Sequence, residues 1–187
     1  YLEDLPYGPG GQYIFTTSTI PAKFNVTVWV KDTVSFKMNM FQVYIIYDPD
    51  YINVTRFWGS VTSDWTYSVW PNQDIGTPPE SWSTSYVFYG KTGSIGGPFY
   101  EAKPGTLGAI LVGETIPTNV TVPANTPKML ARLEFTVMQL PPKGIGNWFE
   151  CVLDISDPLN VLYDTSGPIA GVVKVNGKYK LSWAIPP

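Results

Sequence analysis

The sequence predicts an all-β protein: a single antiparallel β-sandwich preceded by an extended N-terminal arm. Three observations predict it. Apolar and polar residues alternate through most of the informative segments, which is the two-residue period of a strand with one buried face. No window longer than about ten residues keeps a helical period. The chain also carries 18 Pro and 17 Gly in 187 residues, enough stiff turns to punctuate many short strands.

The elements follow in order. Tyr1 to Leu5 is separated by a Pro/Gly break at Pro6 to Gly11 from the first convincing strand, at Gln12 to Thr17. This divides the chain into an arm or linker at 1–11 and a sandwich at 12–187, the latter elaborated at 59–105. In "KFNVTVWVKD", Phe24, Val26, Val28 and Val30 share one face and Asn25, Thr27, Trp29 and Lys31 the other; the first set is core. "MFQVYIIYDPD" places Phe41, Val43, Ile45 and Tyr47 together and stops at the Asp48-Pro49-Asp50 turn, with Gln42, Tyr44 and Ile46 on its second face. Between Gly59 and Gly105 the alternation weakens and aromatics collect among Ser, Thr, Gly and Pro; strands are expected near 64–70 and 83–89. "MLARLEFTVMQL" sets Met129, Ala131, Leu133, Phe135 and Val137 inward against Leu130, Arg132, Glu134 and Thr136. "WFECVLDI" turns Phe149, Cys151, Leu153 and Ile155 inward, making Cys151 a small buried hydrophobe. "GVVKVNGKYKLSW" predicts a closing strand pair or one long bent strand, with Asn176-Gly177 as turn or bulge.

Composition removes several function classes. Histidine is absent, and with it the commonest general base and metal ligand. A lone cysteine makes no intramolecular disulfide, redox pair or Cys-rich zinc site. The net charge of -3, with no basic run, gives nothing to neutralise phosphates, so nucleic acid is not an expected partner. No apolar stretch is long enough to insert in a membrane as a helix. Only 14% of residues are charged, against roughly a quarter in ordinary soluble domains, and a surface this poor in charge suits contact with other surfaces. A start at Tyr1 is expected of a mature product whose leader has been removed, and the Asn-x-Thr sequons at Asn25, Asn53 and Asn119 are candidate glycosylation sites of an exported protein.

The order of these pieces resembles the cohesin-like β-sandwich, of the cohesin and carbohydrate-binding-module type. A valine-rich strand is followed by a strand ending in Tyr47-Asp48-Pro49 and a short apolar segment. Later come "MLARLEF", of the form hydrophobic-Ala-x-hydrophobic-x-Phe, and the closing "GVVKV". The match runs over roughly 12–183. The resemblance implies an extracellular domain: cohesins bind dockerin modules, similar domains occur in archaeal surface proteins, and relatives bind carbohydrate. The arm and the aromatic-rich stretch 59–105 depart from that pattern.

Candidate sites are weighed on this frame. Two carboxylates about 5–10 Å apart would suit glycoside hydrolysis, but Asp48 with Asp50 and Asp154 with Asp157 lie in turn sequences, and turn-making is the favoured reading; no catalytic residue is assigned. No cofactor is expected. A structural calcium would draw on Asp154, Asp157 and Asp164, although no dense Asx loop is present. Lys23, Lys31 and Lys174 have polar neighbours, which disfavours an isopeptide crosslink. Trp65, Trp70 and Trp82 are candidate sugar platforms or contact aromatics. Trp29, Tyr44 and Ile46, apolar groups opposite core faces, are candidate interface residues that either an insertion of the same chain or a neighbouring molecule must cover.

The arm is the candidate connector. If extended, it turns Tyr1, Leu5 and Tyr7 one way and Leu2 and Pro6 the other. Laid along the sheet edge of another subunit, it supplies main-chain hydrogen bonds and side chains for pockets. Burying Leu2, Leu5 and parts of two tyrosine rings contributes roughly 5–8 kcal/mol, comparable with the ~4–15 kcal/mol cost of association. The expectation is a non-catalytic structural subunit of a cell-surface homopolymer, a pilus-like filament joined by donor-strand insertion of the arm, with itself as partner. The alternative is a carbohydrate-binding or dockerin-type protein-binding module.

Overall fold

The computed structural model describes residues 2–3, 12–59, 84–101, 105–144 and 146–183. Among them the strands are β1 (Leu2–Glu3), β2 (Gln12–Thr17), β3 (Ala22–Val30), β4 (Phe36–Tyr47), β5 (Ile52–Trp58), β6 (Ser94–Glu101) and β7 (Gly108–Val122). They continue with β8 (Lys128–Val137), β9 (Phe149–Leu153), β10 (Val161–Asp164), β11 (Gly167–Pro168) and β12 (Gly177–Trp183). One sheet has the order β1-β3-β8-β5 and a second β11-β10-β4-β7-β6; β2-β12-β9 forms a third. The ladders are antiparallel except that of β2 with β12, which is parallel.

Alternation does what the sequence requires of it. Phe24, Val26 and Val28 are buried on β3, as are Phe41, Val43, Ile45 and Tyr47 on β4. Aromatic rings join the three sheets. Phe24 lies 5.8 Å from Phe135 of β8 and 5.2 Å from Tyr179 of β12, and Tyr47 of β4 meets Phe135 edge-on at 5.5 Å. Offset and edge contacts of this kind suit the ring quadrupoles and add to the burial itself. At the end of β4, the Asp48 carboxylate accepts from the Asp50 N–H at 2.9 Å, and its carbonyl accepts from Tyr51 and Ile52. That turn delivers the chain into β5. β7, which was not singled out in the sequence, pairs with β4 over most of its length. It approaches closely at Gly113, where an added Cβ would stand 2.8 Å from the Phe41 carbonyl oxygen.

The structure corrects three expectations. Leu130 belongs to the main core and Met129 to a separate cluster with Trp29 and Tyr86. The reason is a bulge: Val28 pairs with Ala131 but Trp29 with Met129, which leaves Leu130 without an opposite residue and reverses the alternation beyond it. The closing segment is one strand, β12, with residues 172–176 in no strand. Asn176 instead accepts the Ile155 N–H through its side chain. Within the elaboration, residues 84–90 form turns with one parallel bridge from Tyr86 to Met129, where a strand was expected. The strand expected near 64–70 lies outside the described residues.

Candidate functional site

The ionisable groups are committed to local structure. Asp154 accepts from the Ser156 N–H at 2.8 Å, and that bond, working against burial and helped by the Ser156 and Asn176 side chains, holds its carboxyl below the ordinary range. Asp157 accepts from the Leu159 N–H, and Asp164 from the N–H groups of Ser166 and Gly167. Asp50 accepts from Gly105. Asp154, Asp157 and Asp164 thus brace turns of their own segments, and Asp50 ties in the loop at Gly105. Among the described residues, no group of three or more His, Cys, Asp or Glu side chains is placed to hold a metal ion, so Asp154, Asp157 and Asp164 are not gathered into a calcium site. Burial pushes the Cys151 thiol up to about 12, which leaves almost no thiolate.

The outer face of the four-stranded sheet is divided. Toward one end it is polar: Lys23 meets Glu134 at 2.8 Å and Thr55 donates to Glu134 at 2.9 Å. Toward the other end it is apolar and closed by the chain itself. The Val87 N–H donates to the Met129 carbonyl and the Met129 N–H to that of Ser85, each at 2.9 Å. These bonds lay Tyr86 over Trp29, which is only 8% exposed. Burial raises the Tyr86 phenol, against an opposing effect of nearby Arg132. Of the two covers expected for Trp29, the same chain supplies one.

Tyr44 and Ile46 are half-buried on the outer face of the five-stranded sheet. Tyr44 is tied by its main chain to the Asn160 side chain, and Ile46 exchanges main-chain hydrogen bonds with Asp154. Leu111, also half-buried, lies directly opposite Tyr44. A strip of partly open apolar surface remains. Trp65, Trp70 and Trp82 lie outside the described residues, as do Tyr1, Leu5 and Tyr7.

Leu2 is described, and it is 4% exposed. It lies opposite Val28 at the free edge of β3, with Glu3 opposite Thr27, and packs into the main core. The sequence names Leu2 as a contact residue and leaves open whether the arm docks on its own domain or on a neighbour. Beside this pairing, a groove of about 280 Å³ opens where β3 and the β10–β11 edge part. Val28, Val30, Phe36, Leu162, Ile169 and Val175 line it, and the strandless residues 172–175 form one bank. Val173 on that bank is 83% exposed. The groove was not legible in sequence, because it lies between elements far apart in the chain.

The sequons differ in setting. Asn25 and Asn53 are half-buried and flank β8, opposite Glu134 and Thr136 respectively. Asn119 donates to the Thr165 hydroxyl and accepts the Thr165 N–H, so a glycan there must displace a contact that pins the β10–β11 turn.

No protein-family model matches the chain, and no curated protein matches it. Solved structures are similar. The solution structure of CaCohA2 from Clostridium acetobutylicum matches with a TM-score of 0.52 and 15% identity, over 91% of this chain and 86% of that one. The seventh ScaB type I cohesin from Pseudobacteroides cellulosolvens matches at 0.49 and 12% identity, over 94% of each chain. The fold is the cohesin-like β-sandwich that the strand motifs imply. At such identities the likeness concerns fold alone.

Proposed function

We propose that the chain is a non-catalytic structural subunit of an extracellular cell-surface assembly, a filament in which the N-terminal arm of one subunit serves as a donor strand for the next. One observation carries the reading. Leu2, in the arm, fills a core position against Val28 and extends a sheet by only two residues. An arm that completes a core by pairing at a sheet edge is suited to exchange between copies, since the same edge can take the same segment of another copy. Head-to-tail exchange that does not close gives a fibre. The turn-bound carboxylates, the buried thiol and the absence of histidine support a non-catalytic role. Export accords with the sequons at Asn25, Asn53 and Asn119.

The test is negative-stain electron microscopy of the whole chain beside a version lacking residues 1–8. Regular fibres that vanish on truncation support the reading. Monomers in both samples overturn it and direct attention to a glycan array, where the tryptophans at 65, 70 and 82 would be probed by alanine substitution. A second reading, a protein-binding module, is favoured by the strip at Tyr44, Ile46 and Leu111. Charged substitutions there would abolish capture of a partner while leaving fibres intact.

A further inference from the structure

We propose that the groove beside Val28 and Val30 receives the arm of a second copy in a register three residues displaced from that of β1; this rests on the arm-mediated reading above. Residues directly opposite in an antiparallel pair share a face. Continued by one more pair, the register that sets Leu2 opposite Val28 would give the next inward place, opposite the fully buried Val26, to Asp4. An unpaired carboxylate is not tolerated in such a position. A longer ladder in that register would therefore bury an acid; the described pairing is that of Leu2 and Glu3.

Sliding the strand by three residues sets Leu5 opposite Val28, Tyr7 opposite Val26 and Glu3 opposite Val30. Two of these three inward groups are large and apolar or aromatic. The inward acid is then Glu3, which meets the groove rather than the closed interior; Lys174 lines that groove, its ammonium donating to the Asp157 carbonyl at 2.6 Å, and Asp4 passes to the other face of the strand. Charge favours this occupant. The groove presents Lys31 and Lys174 against the single carboxylate of Asp32, while residues 1–11 carry Glu3 and Asp4 and no base. Pro6 lacks an N–H and suits a strand added at an edge. Among the described residues, no strand pairs with β3 on this side beyond Val28, so main-chain groups at Val30 are available to an incoming strand. The exposed Val172 and Val173 gain a cover when it is seated.

In this register Leu2 of the incoming arm lies opposite Lys31 of the receiving copy, whereas within one chain it lies opposite Val28. Full-length Leu2→Cys and full-length Lys31→Cys chains are mixed under mild oxidant and the products mapped by mass spectrometry. The expected product is an inter-copy disulfide joining position 2 of one chain to position 31 of the other. Fibres that form and are lost on truncation, without this crosslink, overturn the register and groove while the arm reading stands. No association of the unmodified whole chain, and no crosslink, overturns both. As an independent check, Glu3→Lys should weaken association at least ten-fold, and Lys174→Glu in the receiving copy should restore most of it; equal weakening by both changes with no restoration overturns the placement of Glu3.

Discussion

Two apolar regions flank the same end of β3 and have opposite fates. On the outer face, Trp29 is sealed by Tyr86 and Met129 through two main-chain hydrogen bonds from a segment of the same chain. At the edge, one residue away, Val28 and Val30 are buried in the main core, but they border a groove whose far bank carries the exposed Val172 and Val173 and belongs to no strand. Both regions come from one alternating stretch, "VTVWV". Periodicity says which side chains share a face; it does not say what lies over that face. Covering is a tertiary property: Trp29 is closed over by its own chain, while Val172 and Val173 stand exposed.

Four measurements break or sharpen that contrast. The sealed interior is tested first at Cys151. With its thiol pushed up to about 12 by burial, labelling by a maleimide at mildly alkaline pH should be about a thousand-fold or more slower in the native chain than in denaturant. Brisk native labelling would show that the core under β9 opens. Next, Trp29→Ala should cost about 3–5 kcal/mol in urea unfolding, as deletion of a buried ring does, because it also strips Tyr86 and Met129 of their contact. A cost below about 1 kcal/mol would mean that the cover is not part of the cooperative fold.

The polar half of the same face should be worth far less. Burial pushes the Glu134 carboxyl up, but hydrogen bonds from Lys23 and Thr55 and the charges of Lys23 and Arg56 outweigh it, so the net shift is downward. A carboxylate depressed in the folded state contributes stability that is complete above the ordinary glutamate value of about 4.3 and is lost as the pH falls through the lower folded value. Lys23 is 56% exposed, so Glu134→Gln should cost only about 0.5–1 kcal/mol at neutral pH. The difference from wild type should shrink as unfolding is measured at progressively more acidic pH below that glutamate value. Smallest of all, Val173→Lys should change monomer stability by no more than about 0.5 kcal/mol. The same change should weaken fibre formation, and a large loss of monomer stability would show that the bank of the groove is already packed.

Much of this was legible in the sequence. The core faces of β3 and β4, the Asp48 turn and inward Cys151 all follow from period-two alternation and turn chemistry, because local sterics and one buried face decide them. The bulge at Leu130 was not legible, since an extra residue on β8 is visible only against its partner β3. Nor was the fate of residues 172–176. Their apolar, β-branched composition favours a strand, but Asn176 is engaged with Ile155 and strand formation needs a neighbouring edge as well as propensity. β7 escaped notice because Gly113 and Pro117 interrupt its pattern, although the glycine is required by the close approach of β4. Of the candidate site, the contact residues could be named from sequence, while the groove between distant segments could not.

The parallel ladder of β2 and β12 has a mechanical meaning. Its six register pairs run from Gln12 with Lys178 to Thr17 with Trp183, so a pull applied before Gln12 and after Trp183 draws the two strands past one another along their length. All of the ladder's hydrogen bonds then share the load at once. The antiparallel pair β12–β9, pulled apart at Trp183 and Phe149, opens from one end, bond by bond. Single-molecule stretching should therefore find a higher rupture force between the chain termini than across that second pair. A chain tensioned before Gln12 and after Trp183 meets the load in its stronger direction.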